Sequence, residues 1–158
     1  MEKSVITAFI SGLLFFSLII ISCTSEKSID FEEAEIYITE KLNHFLDYAA
    51  TSAEVHDKFW SDELIYTSSA GSRFGKQTIM EGFDTSDDED SETPTVRYYA
   101  EDTSITFYQK TARLTFTLVA EDMVDGEIET TRFYNSGMLV PESDSWEVVL
   151  WQATRKVD

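Results

Sequence analysis

Apolar positions recur at spacings of three and four between about residues 29 and 50. Ala34, Ile38, Leu42, Phe45 and Ala49 fall on one stripe, which predicts an amphipathic helix. Tyr37, Lys41, His44 and Tyr48 form a mixed stripe beside it. Thr51-Ser-Ala-Glu54 reads as a capping box that opens a second, short helix through Trp60. On it Val55 and Phe59 share a face, with Trp60 adjacent and His56 placed at the surface. Alternation then predicts a strand over 64–68 and a turn over 69–72, while 75–83 suits a third helix with Ile79, Met80 and Phe83 inward.

From residue 96 onward the pattern is that of strands. One runs over 96–100, Glu101-Asp102 makes a tight turn, and long strands over 103–121 and 127–139 are joined at the hairpin dipeptide Asp125-Gly126. A turn over 141–144 leads to the last strand, 145–155, which is apolar on both sides and therefore reads as central. Strict alternation puts Trp146, Val148, Leu150, Gln152 and Thr154 on one side, and Glu147, Val149, Trp151, Ala153 and Arg155 on the other. The first side passes from apolar to polar, as a pocket wall does. Helices followed by a meander make the class α+β, with the N-terminal helices packed on a curved antiparallel sheet.

Composition narrows the function classes. The chain has 158 residues, enough for one domain, and 42% of them are hydrophobic. A formal charge of −18 with only 12 Lys and Arg argues against a nucleic-acid surface and leaves neutral or cationic ligands. Residues 1–22, with Lys3 before an apolar run over 5–21, have the layout of a secretory signal peptide; an uncleaved membrane anchor is the alternative. Ile20-Ile-Ser-Cys23 resembles a bacterial lipobox, which implies acylation at Cys23, a tether over 23–30 and a domain over 31–156. The expected place is the bacterial cell envelope, on the periplasmic side or the cell surface, with the membrane reached through the lipid anchor. Cys23 is the only cysteine, so the domain has no disulfide and no cysteine nucleophile. No metal is expected, because no His-x-x-x-His or Glu-x-x-His spacing occurs. The six carboxylates over 84–92 lack the glycine and closing glutamate of an EF-hand loop, and they read as a solvated charge run. No serine-hydrolase elbow, P-loop or dinucleotide fingerprint appears, and no cofactor is implied.

Three local patterns, taken in order, resemble a known group. Phe59-Trp-Ser-Asp-Glu-Leu-Ile-Tyr-Thr67 followed by Gly71 looks like the helix-to-strand passage of nuclear transport factor 2-like domains. Arg132-Phe133 and then Trp146-Glu-Val-Val-Leu-Trp-Gln-Ala-Thr154 resemble the closing hairpin of the domain-of-unknown-function 4440 branch, related to SnoaL-like proteins. The resemblance spans about 31–156. It implies a cone-shaped fold whose sheet wraps a hydrophobic cavity, often as a homodimer, but no single function. Ketosteroid isomerase relatives place a general-base aspartate where this chain has Ser68, and their oxyanion tyrosine falls on His44. Their buried acid donor has no counterpart over 130–141, so the isomerase machinery is absent as written.

His44 is the one catalytic candidate, since a neutral imidazole there could exchange a proton. Trp60, Tyr66, Arg132, Tyr134, Gln152 and Thr154 are the expected ligand-pocket residues; ordinary core packing is the plain alternative for all of them. Three readings follow. The first is a secreted, lipid-anchored domain that binds a small apolar or amphipathic molecule without turnover. The second is a SnoaL-like lyase or isomerase using His44 with Arg132 or Gln152. The third is an interaction module dimerising through its open sheet face, its cone filled by aromatic side chains.

Overall fold

The computed structural model describes residues 29–84 and 96–157. The expected signal peptide, the expected lipidation site Cys23, most of the expected tether and nearly all of the acidic run lie outside the described residues. Within them the order is α1 (Phe31–Tyr48), α2 (Ala53–Phe59), β1 (Trp60–Thr67), β2 (Arg73–Phe74), α3 (Lys76–Asp84), β3 (Arg97–Tyr108), β4 (Thr111–Val124), β5 (Glu127–Glu142) and β6 (Ser145–Arg155).

Asp30 starts α1 by accepting from the amides of Glu32 and Glu33, and the helix buries Ala34, Ile38, Leu42 and Phe45 of the expected stripe plus Leu46, with Ala49 half-buried at its C-cap. The cap of α2 is Ser52, one residue later than the capping box suggests; its hydroxyl accepts from Val55 N. That helix stops at Phe59, and Trp60 already has extended backbone as the first residue of β1. The switch at this junction lets two successive aromatics, Phe59 and Trp60, both turn inward.

Six strands form one sheet in the order β2-β1-β6-β5-β4-β3. β6 is interior, as its two apolar sides imply. The sheet is mixed rather than wholly antiparallel, because β1 runs parallel to β6. Helices lie on one face only, and their apolar sides meet Leu114, Phe116, Leu139, Val148 and Trp151 from the sheet. This is the α+β arrangement of helices on a curved sheet.

Three local expectations differ. Glu101-Asp102 is a bulge inside β3, with Asp102 at φ 55, rather than a turn between strands. The turn that ends β3 is at Gln109-Lys110, inside what the sequence suggests is one long strand. β6 is the third. Its register against β5 shifts between Met138 and Leu139, which pair with Leu150 and Val148, so Val149 is an extra residue. The bulge places Trp146 and Val148 on the same buried side as Trp151 and Ala153, and leaves Leu150, Gln152 and Thr154 exposed on the opposite face.

Candidate functional site

Between the helices and the concave side of the sheet lies a cavity of about 280 Å³. Each element contributes to its wall: Phe45, Leu46 and Ala49 from α1, His56 from α2, Trp60 and Tyr66 from β1, and Ile79 from α3. The sheet completes it with Phe74, Tyr98, Phe116, Leu118, Asn135 and Trp151. The rings support one another. Phe45 stacks on Phe59 with centroids 4.0 Å apart, Trp60 meets Trp151 edge-on at 5.3 Å, and Tyr66 stacks on Phe74 at 4.9 Å.

The nitrogens on this wall are already engaged. His56 Nδ1 accepts from the Trp60 indole N–H at 3.0 Å, which fixes the proton on Nε2; that nitrogen donates to the Ala49 carbonyl at 2.8 Å. Burial holds the His56 pKa below its usual value, partly offset by the bond to Ala49. The imidazole is thus a neutral strut between α1, α2 and β1. Trp151 donates its indole N–H to Asn135 Oδ1 at 2.9 Å, and Asn135 Nδ2 donates to the Phe133 carbonyl at 3.3 Å. The hydroxyls of Tyr66 and Tyr98 differ: among the described residues neither has a hydrogen-bond partner. Burial raises both phenol pKa values, with a smaller push from Tyr98 at Tyr66 and from the Asp122 charge at Tyr98, so both hydroxyls stay protonated.

Of the six pocket residues expected from sequence, the structure brings Trp60 and Tyr66 to the cavity. Arg132, Tyr134, Gln152 and Thr154 are on the other face of the sheet. Tyr134 is 53% exposed, lies opposite Thr154, and has the Lys156 ammonium 5.8 Å above its ring. Arg132 Nε contacts Glu101 Oε2 at 3.4 Å. Gln152 sits in a shallow depression with Tyr108, Arg113, Met138 and Leu150. The cause is the extra residue at Val149, since one residue out of step exchanges the two faces of a strand.

His44 points away from the cavity, against the Tyr48 ring, and lines an open groove of about 630 Å³ with Lys41, Asp57, Lys76, Ser145 and Glu147. That groove is internally paired. Lys76 bridges Asp57 and Asp62 at 2.9 and 3.1 Å, and Lys41 donates to Ser145 Oγ at 3.0 Å. His44, Arg132 and Gln152 are therefore not assembled into one constellation. The cavity residues that sequence reasoning passes over are His56, Tyr98 and Asn135. For His56 a signal exists, because it lies four residues before Trp60 on the same short helix.

No family model matches the chain, and no curated protein matches it in sequence. Solved structures do match in three dimensions. The CaMKII hub of S. rosetta superposes with TM-score 0.65 at 15% identity, covering 77% of this chain and 95% of that one. A nuclear transport factor 2-like superfamily protein of Salmonella enterica gives TM-score 0.66 at 15% identity, with 81% and 94% covered. One from Cytophaga hutchinsonii gives 0.61 at 11% identity, with 81% and 100% covered. A further match, from Exiguobacterium sibiricum, is described as a kinase association domain. At these identities the likeness concerns architecture, and what it establishes is that the chain has the nuclear transport factor 2-like fold.

Proposed function

We propose that this protein is a lipid-anchored domain of the bacterial cell envelope that binds a small, largely apolar molecule in its aromatic cavity without turning it over. The carrying observation is the cavity itself: a concave, ring-lined space whose nitrogens are already hydrogen-bonded, while two tyrosines on its wall have hydroxyls without a hydrogen-bond partner among the described residues. Among the described residues, no side chain on its wall is a free base. His56 is locked as an acceptor from Trp60, and Ser68, at the isomerase base position, is absent from the lining. Turnover of the SnoaL-like sort has no proton acceptor there, which favours binding. Envelope anchorage rests on the apolar run over 5–21 and on Cys23. Native mass spectrometry of the protein purified gently from cell extract tests the binding reading. An added mass released by organic solvent is the expected result; a bare species that also takes up no apolar probe would contradict it.

A second reading, self-association, has its own observation. Ile65, Tyr108, Tyr134, Met138 and Leu150 are exposed together on the helix-free face of the sheet, and the depression among them contains Arg113 and, among the described residues, no carboxylate. Copies of a chain carrying −18 repel except where carboxylates are missing, so this face is where two copies could meet. The hub and association-domain names of two structural neighbours agree with that. Sedimentation should show a dimer that Leu150→Glu converts to a monomer; a wild-type monomer at all concentrations removes the reading.

A further inference from the structure

Among the described residues, the cavity wall carries no Lys, Arg, Asp or Glu. A carboxylate or ammonium entering it would lose its water and gain no counter-charge, which is strongly unfavourable. The wall's nitrogens offer little recognition, because His56, Trp60, Asn135 and Trp151 already bond to one another or to the backbone. What remains are two O–H groups with no hydrogen-bond partner among the described residues, those of Tyr66 on β1 and Tyr98 on β3, both of which line the space. A protonated phenol left without a partner on an apolar wall is satisfied by an acceptor that the ligand brings.

Size narrows the ligand as well. A space of about 280 Å³ filled at interior density holds about 200 Å³ of ligand atoms, which suits one or two rings and not four. The parallel Tyr66–Phe74 pair offers a flat aromatic wall for such rings to lie against.

We infer that the cavity selects an uncharged molecule of one or two rings bearing a hydrogen-bond-accepting oxygen, which the Tyr66 and Tyr98 hydroxyls hold. This deepens the binding reading and rests on it. Carbonyl, ether and ester oxygens share the required chemistry; carboxylates, phosphates and amines do not.

The test is calorimetric titration of the purified protein with a matched series: indanone, indane, indane carboxylate and a four-ring steroid ketone. Indanone should bind about tenfold more tightly than indane, which lacks the acceptor. The carboxylate and the steroid ketone should show no saturable binding. Tyr66→Phe and Tyr98→Phe should each weaken indanone about fivefold towards the indane value while leaving indane unchanged, so indane binding doubles as proof that each variant is folded. Equal affinities for indanone and indane, carboxylate binding as tight as indanone binding, or tight binding of the steroid ketone would each overturn the assignment of ligand class while leaving a binding cavity in place. Failure of every probe on the wild-type protein would remove the binding reading and this inference together.

Discussion

Gly137 on β5 lies beneath the Trp151 ring, and a Cβ there would sit 2.7 Å from Trp151 Cε3. No ordinary side-chain contact is that short, so any larger residue must push the indole off its hydrogen bond to Asn135 and into the cavity. Gly137→Ala should therefore cost about 1–3 kcal/mol, read as a lower denaturant midpoint with an unchanged slope. Gly82 in α3 is the contrast: a Cβ there meets nothing within 4 Å, and an unchanged or raised midpoint is expected for Gly82→Ala. Equal losses for the two would show that Trp151 is not held as described. His56 gives a pH prediction. Its folded pKa lies below the ordinary imidazole value through burial, so the unfolded chain takes up a proton first as the pH falls. Stability from this group is complete above the ordinary value of 6.5 and is lost as the pH drops through the depressed folded value. Protonating Nδ1 also turns an acceptor for Trp60 N–H into a second donor facing it. The difference in unfolding free energy between wild type and His56→Gln should shrink as the pH is lowered from about 7.5 to about 5. A pH-independent difference would show that the imidazole is not held neutral.

At the scale of elements, Val149 decides which side of β6 faces the helices. It is the unmatched residue where β6 shifts register against β5, and it brings Trp146, Val148, Trp151 and Ala153 to a single buried face. Deleting Val149 would restore plain alternation and direct Trp151 and Ala153 outward. The expected result is loss of cooperative unfolding and of near-ultraviolet tryptophan ellipticity; a normally folded deletion variant would contradict the role given to the bulge. The same residue marks how far the sequence can be read. The stripe of α1, the Asp125-Gly126 hairpin and the interior position of β6 are legible because each depends on local periodicity or turn chemistry. A bulge has no such signature, since Glu147-Val-Val-Leu150 reads as unbroken strand. Four of the six expected pocket residues therefore fall on the outer face, whereas Trp60 and Tyr66, on β1, line the cavity. The β3–β4 turn at Gln109-Lys110 is hidden for a similar reason, because it lacks the glycine or proline that usually marks a turn. Asn135 acquires its role only through a partner distant in sequence, Trp151, and Tyr98 only because β3 folds onto the cavity.

For the whole molecule, the two faces of the sheet divide the chemistry. The concave face holds an uncharged aromatic cavity, and the convex face exposes Ile65, Met138 and Leu150 around Arg113, while the chain as a whole carries −18. Binding and self-association thus use opposite surfaces, and each can be disturbed without touching the other. Of the three tryptophans, Trp60 and Trp151 line the cavity whereas Trp146 packs against Phe107 elsewhere. In a Trp146→Phe variant the indole fluorescence therefore reports on the cavity alone. Titrating that variant with indanone should give a saturable change in intensity and emission maximum, and filling the space by Leu118→Trp in the same background should abolish the ligand response. A signal that stays flat with indanone and equally with indane would contradict the claim that this cavity is a binding site.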